Sequence, residues 1–100
     1  MFGLSDRELA SIRAIFAEMP DVEAVIFGSR ARGDYRESSD IDIALMGENV
    51  SVSQAAQLEE RLDDLLLPYR IDLVRYNMLQ NPALKQNIQM EGKVLVPCSA

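Results

Sequence analysis

Two aspartates spaced two apart, Asp40 and Asp42, open an apolar run and form the most chemically suggestive pair in the chain. On a β-strand this spacing places both carboxylates on one side, with Cα atoms roughly 6.5–7 Å apart. Two such carboxylates can converge on a hard divalent cation, and Mg²⁺ commonly uses one or two carboxylates together with substrate phosphates and water. The alternative interpretation is a solvated sheet edge, on which the Asp-x-Asp pattern is simply polar.

A third carboxylate, Asp72, interrupts a second strand-like apolar run over residues 71–74. Burial of an unpaired charge is costly, and three carboxylates on adjacent strands would repel one another unless a cation neutralised them. Asp72 therefore favours a metal site over a solvated edge.

Residues 22–27 form a short, β-branched run that predicts a strand, and a Gly28-Ser29 turn follows this run. Gly28 lets a ligand approach the backbone closely. The Ser29 hydroxyl and nearby N–H groups, at the start of a short helix from 29 to about 32, would then face an anion. A Gly-Ser pair alone is a common turn, so its value here comes from the strand before it and the charges after it.

The charge balance, 16 acidic against 10 basic side chains with a net charge of −6, argues against a generic nucleic-acid binder, which needs a basic surface. Three cations nevertheless follow Ser29 within seven residues: Arg30, Arg32 and Arg36. Each alone can be an ordinary surface cation, but the cluster favours at least one contact with a phosphate. The chain has no histidine, so a His-based zinc site is excluded and any general base is a carboxylate, lysine, tyrosine or water.

Helices and strands alternate along the chain. This order predicts an α/β (α+β-like) fold, a small mixed β-sheet flanked by helices, as one domain over residues 1–100. We expect the helices to cover one face of the sheet and the polar site to lie on the other face or at one end. The predicted starts of the three longer helices are a capping box at Ser5, a cap at Ser51 or Ser53, and Asn81-Pro82. The further predicted strands span about 40–46, 69–76 and 93–96.

The remaining signals concern the cellular setting. No apolar run of about 18 residues is present, and the N-terminus lacks the pattern of a signal peptide, so no membrane span is expected. The single cysteine, Cys98, excludes an internal disulfide and fits a reducing cytoplasm; no other role is predicted for it. The roles left open for Tyr35, Tyr69 and Tyr76 are packing, base stacking and self-modification.

The combination of Gly-Ser, ten intervening residues, Asp-x-Asp and a later lone Asp resembles the nucleotidyltransferase superfamily related to DNA polymerase β. The segment GSRARGDYRESSDIDIAL is similar to the motif of its minimal nucleotidyltransferase (MNT) branch, which includes antitoxins paired with HEPN-domain toxins. This resemblance spans essentially the whole chain and implies the polymerase β-like nucleotidyltransferase fold.

The resemblance implies ATP as the substrate and two Mg²⁺ ions as cofactors. Ser29 would help to hold the triphosphate, Asp40 and Asp42 would bind the ions, and Asp72 would complete the triad and activate the acceptor hydroxyl. The candidate nucleotide-binding residues are Gly28, Ser29, Arg30 and Arg32. The candidate catalytic and metal-binding residues are Asp40, Asp42 and Asp72.

Almost no sequence lies outside the predicted sheet and helices, so we expect the acceptor to be presented by another protein. The resemblance implies transfer of AMP to a tyrosine hydroxyl of a HEPN ribonuclease toxin within a hetero-oligomer. Two alternatives stay open. One is a non-catalytic antitoxin that binds its partner stoichiometrically. The other is a catalytic subunit that modifies a small molecule or RNA with a separate substrate-binding subunit.

Overall fold

The predicted alternation of helices and strands is present in the computed structural model of the chain, which describes residues 2–36, 38–47 and 50–96. The helices are α1 (Asp6–Ala17), α2 (Ser29–Arg32), α3 (Val52–Asp63) and α4 (Pro82–Glu91). The strands are β1 (Glu23–Phe27), β2 (Ile41–Met46), β3 (Ile71–Arg75) and β4 (Lys93–Val96), and a 3₁₀ turn spans Tyr76–Met78. The predicted elements are thus confirmed, with ends that differ by a few residues.

The first and third helices begin at capping boxes. The Ser5 hydroxyl accepts a hydrogen bond from the Glu8 backbone N–H at 3.1 Å, and the Glu8 carboxylate accepts one from the Ser5 N–H at 2.9 Å. Ser51 and Gln54 form the same reciprocal pair at the start of α3, which decides between the two predicted caps. These bonds satisfy N–H groups that have no partner within the helix.

The four strands form one mixed sheet in the order β3-β2-β1-β4. Strand β1 pairs antiparallel with β2 and with β4, whereas β2 and β3 run parallel. The register places Asp42 of β2 between Phe27 of β1 and Asp72 of β3. Two of the three predicted carboxylates are therefore neighbours across one pair of strands.

Alternation along the strands sends apolar side chains to both faces of the sheet. One face packs against α1 and α3 in the larger core, with Ile41, Ile43 and Leu45 of β2 fully buried. The opposite face carries a smaller cluster formed by Val25, Phe27, Ala44 and Ile88.

Helix α4 therefore packs on the face opposite to α1 and α3. The prediction that the helices cover one face only is wrong for this helix, because Ile88 joins the β1 and β2 side chains of the smaller cluster. The same face carries Asp42 and Asp72, both partly exposed. Within the described part of the chain, no helix combines the length and apolar character that a bilayer crossing requires.

Candidate active site

The turn between β1 and α2 is built on a glycine that no other residue can replace without strain. Gly28 has φ 78° and ψ −156°, a region that is essentially restricted to glycine. A Cβ atom at this position would lie 2.6 Å from Oδ2 of Asp42. The absence of a side chain therefore lets the turn that leads into Ser29 lie directly against the carboxylate of β2.

The carboxylates Asp42 and Asp72 lie side by side on the open face of the sheet. They are register partners on parallel strands, and neighbouring strands are about 4.8 Å apart. Asp40 lies just before β2 and is exposed, and its charge reaches Asp42. The structure thus makes Asp42 and Asp72 neighbours and places Asp40 near enough for its charge to act on Asp42.

The pKa of Asp42 is raised above its ordinary value. Partial burial is the largest cause, followed by the negative charges of Asp72 and Asp40, and the positive charge of Arg32 acts in the opposite direction. An ionised carboxylate is thus disfavoured at this position in the metal-free protein, and a bound cation would relieve both causes.

This pKa shift predicts a pH-dependent gain in stability on replacing Asp42 with Asn. Because the pKa in the folded state lies above the unfolded value, ionisation of Asp42 destabilises the metal-free fold at neutral pH. We expect Asp42→Asn to unfold at a higher urea concentration than the wild type at pH 7 in EDTA. The difference should shrink as the pH falls through the raised pKa and vanish below the ordinary value. A difference that is independent of pH would contradict this assignment.

Arg32 is held by two acidic partners, Asp34 and Glu91. Its Nε donates to Asp34 at 3.2 Å and its Nη1 to Glu91, in the last turn of α4, at 3.1 Å. Its side chain is 43% exposed and its charge acts on Asp42. Arg32 is therefore partly exposed, paired with two carboxylates, and near enough to Asp42 for its charge to act there.

Arg30 has a different placement from the one predicted. It is 2% exposed, and its guanidinium donates hydrogen bonds to the backbone carbonyls of Ser39 and Phe2. The prediction that Arg30 binds a phosphate is not supported by this placement, because the donor groups already face protein oxygens inside the fold.

Two residues that contact the candidate site, Arg70 and Glu91, were not predicted from the sequence. Arg70 contacts Asp72, with 3.4 Å between Nε and Oδ1, and the alternation of β3 could have indicated this pair, since the two residues are two apart. Glu91 contacts Arg32 across 59 positions, and no local signal predicts such a contact.

The donor set fits a divalent cation that shares its coordination with a substrate. Among residues 2–36, 38–47 and 50–96, no three acidic, Cys or His side chains form a group that could hold a metal ion by themselves. Mg²⁺ does not require such a group, since it is commonly bound by one or two carboxylates together with phosphate oxygens and water. The Asp42–Asp72 pair matches that requirement.

Each tyrosine ring lies against a cationic side chain. Tyr35 and Tyr69 lie against the Arg30 guanidinium, and Lys85 lies over the ring of Tyr76. These contacts agree with the packing role among those left open. Cys98 lies outside the described residues.

Comparison with known proteins identifies the family. A family model described as polymerase beta, nucleotidyltransferase matches residues 10–99. The chain belongs to this family. A proposed protein adenylyltransferase of Methanocaldococcus jannaschii is 38% identical to this chain over 79 residues, which cover 77% of this nucleotidyltransferase and 80% of that relative.

Two solved structures extend the likeness to three dimensions. A crystal structure of a toxin–antitoxin with AMP-PNP matches this nucleotidyltransferase with a TM-score of 0.69 and 26% identity, over 87% of this chain and 71% of that one. A proposed minimal nucleotidyltransferase matches with a TM-score of 0.67 and 30% identity, over 87% and 88% of the two chains. The predicted family, fold class and enzyme class are thereby confirmed.

Proposed function

We propose that this nucleotidyltransferase is an antitoxin that transfers AMP from ATP to a tyrosine hydroxyl of a partner HEPN-domain toxin and thereby inactivates the toxin. The observation that carries this proposal is the pairing of Asp42 with Asp72 beside the Gly28 turn. The arrangement sets two carboxylates against the turn that leads into Ser29, so a cation held by the carboxylates would lie next to a phosphate held at that turn.

The turn and the adjacent arginine bind the triphosphate. Gly28 lets the turn lie against the Asp42 carboxylate, and the Ser29 hydroxyl donates to a phosphate oxygen. Arg32, whose charge already acts on Asp42, exchanges Glu91 for a phosphate and adds charge-assisted hydrogen bonds. Arg30 is left out of this set because its guanidinium is buried against backbone carbonyls.

The three aspartates supply the metal site and the base. Asp40, Asp42 and Asp72 would hold Mg²⁺, which when bound neutralises phosphate charge and lowers the pKa of the acceptor hydroxyl. Asp72 is 43% exposed, so an acceptor can reach it and give up its proton there. The acceptor oxygen bonds to the α-phosphorus of ATP, the bond from that phosphorus to the bridging oxygen breaks, and pyrophosphate leaves.

The assignment to a protein acceptor is supported by the similar proteins. The relative from Methanocaldococcus jannaschii is named for protein adenylyl transfer, and the structure with AMP-PNP is a toxin–antitoxin. The HEPN class of the toxin and its tyrosine come from the resemblance to the MNT branch. A hetero-oligomer of this chain with its toxin follows from the proposal.

The direct test is to incubate the purified chain with ATP, Mg²⁺ and the protein encoded by the neighbouring gene, and then to weigh that protein intact. We expect its mass to rise by one or more AMP units, and peptide mapping to place them on tyrosine. An Asp42→Asn sample serves as the control for the transferase itself.

Other outcomes would replace the proposal. Full neutralisation of the toxin by Asp42→Asn without any gain in mass would indicate stoichiometric binding. Modification of an RNA or small molecule in place of the toxin would indicate the catalytic-subunit alternative. A partner that binds the chain, stays active and gains no mass would rule out AMP transfer as the means of inactivation.

A further inference from the structure

The feature that the proposed mechanism leaves unused is the buried guanidinium of Arg30, the residue next to Ser29. Its Nε and Nη2 both donate to the Ser39 carbonyl, at 3.1 and 2.9 Å, and its Nη1 donates to the Phe2 carbonyl at 2.9 Å. One side chain thus spans from the start of α2 to two other segments of the chain. Ser39 is the residue immediately before Asp40.

Two aromatic rings flank the same guanidinium. Its central carbon lies 4.6 Å from the ring centroid of Tyr69 and 5.3 Å from that of Tyr35. A Cβ atom on Gly3 would collide with the Tyr35 ring and lie 2.9 Å from Nη1 of Arg30. The packing is therefore tight on several sides, and cation–π contacts of this kind are strongest where the charge is desolvated.

These contacts join the two halves of the active site. The turn that carries Ser29 lies at the start of α2, whereas Asp40 lies just before β2. Arg30 belongs to the first half and donates hydrogen bonds to the Ser39 carbonyl, which adjoins the second half. It therefore sets the position of one half relative to the other. A planar guanidinium can do this by donating two N–H groups to one carbonyl and a third to another while it stacks on a ring.

We propose that Arg30 is a positioning residue that holds Asp40 in register with the nucleotide turn, and that it contacts no phosphate itself. This inference rests on the proposed function for its kinetic consequences, since it concerns the geometry of the same metal and nucleotide site. A lysine at position 30 keeps the positive charge but cannot reproduce the forked hydrogen bonds to the Ser39 carbonyl or the stacking of a planar guanidinium on the Tyr69 ring. The Arg30→Lys variant therefore separates the role of charge from that of geometry.

The experiment measures Mn²⁺ binding and AMP transfer in the full chain. Mn²⁺ binding is followed by electron paramagnetic resonance in the presence of AMP-PNP, so it does not depend on finding the acceptor. For Arg30→Lys we expect Mn²⁺ affinity and kcat each to fall by about 10–100-fold, as for other residues that orient metal ligands, while KM for ATP stays near the wild-type value. Arg13→Lys is the matched control. Arg13 also donates to a backbone carbonyl, that of Leu95 at 3.0 Å, but this carbonyl belongs to β4.

A second pair of variants keeps the test decisive if Arg30→Lys fails to fold. Tyr69→Leu removes the stacking ring and should weaken Mn²⁺ binding in the same direction, whereas Tyr69→Phe keeps the ring and should behave like the wild type. The Tyr69 hydroxyl lies 3.5 Å from Glu8, at the limit of hydrogen bonding, so its loss should cost little.

The outcomes separate this inference from the proposed function. A raised KM for ATP with unchanged kcat and Mn²⁺ affinity in Arg30→Lys would overturn the positioning role and indicate a phosphate ligand. Wild-type behaviour of both Arg30→Lys and Tyr69→Leu would overturn it as well. A wild-type protein that binds Mn²⁺ with AMP-PNP but modifies no partner would refute the proposed function alone, because the binding comparison would still report on Arg30.

Discussion

An Asp42→Asn variant is expected to lose AMP transfer by about 10²–10³-fold or more, the scale on which removal of a group that stabilises transition-state charge acts. Asp42 is the central carboxylate of the three, since it is the register partner of Asp72 and its pKa responds to Asp40 as well. Asparagine keeps the shape of the side chain but removes the charge that the cation needs. The measurement is the initial rate of AMP incorporation into the partner.

The same substitution should leave the fold intact, which makes the loss of activity interpretable. Metal-free Asp42 is disfavoured as an anion, so its neutral replacement relieves repulsion at neutral pH. Asp63→Asn is the matched control, because Asp63 ends α3 and is exposed, and it should keep the wild-type rate. A folded Asp42→Asn protein with an unimpaired rate would remove Asp42 from the catalytic machinery.

The elements and the acidic pair were accessible from the sequence because their signals are local. The alternation after Asp40 places Asp42 on the polar side of a strand whose other side is apolar, and that side is fully buried in the structure. The caps at Ser5 and Ser51 depend on residues three positions away. Patterns of two to four residues are therefore sufficient for these features.

The placements that could not be predicted from the sequence depend on contacts between distant segments of the chain. Arg30 and Arg32 are the same residue type two positions apart, yet Arg30 is enclosed by the carbonyls of Ser39 and Phe2, while Arg32 is partly exposed and pairs with Asp34 and Glu91. The apolar stripe of α4 predicts that the helix packs, but it does not state on which face of the sheet. The chain must cross the sheet from β3 to add β4 beside β1, and since α1 and α3 already cover one face, α4 with Ile88 lies on the other.

A Gly28→Ala variant is expected to lose both stability and activity. The backbone at Gly28, with φ 78° and ψ −156°, would strain any L-residue by about 1–3 kcal/mol. The new Cβ would also lie 2.6 Å from Oδ2 of Asp42, so either the turn or the carboxylate must move. A displacement of about 1 Å at a reacting centre can cost about 10²-fold in rate, and we expect a loss of that order.

Gly33→Ala separates backbone strain from the collision with Asp42, because this substitution introduces strain at a positive φ but no collision. Gly33 has φ 93°, and a Cβ atom there would meet no atom within 4 Å. Both variants should unfold at lower urea concentrations than the wild type, but only Gly28→Ala should lose AMP transfer and Mn²⁺ binding. Equal losses of activity in the two variants would attribute the effect to strain in the loop, and an active Gly28→Ala protein would show that the approach of the turn to Asp42 is dispensable. The comparison therefore tests whether the glycine serves the fold or the contact between the nucleotide turn and the metal-binding strand.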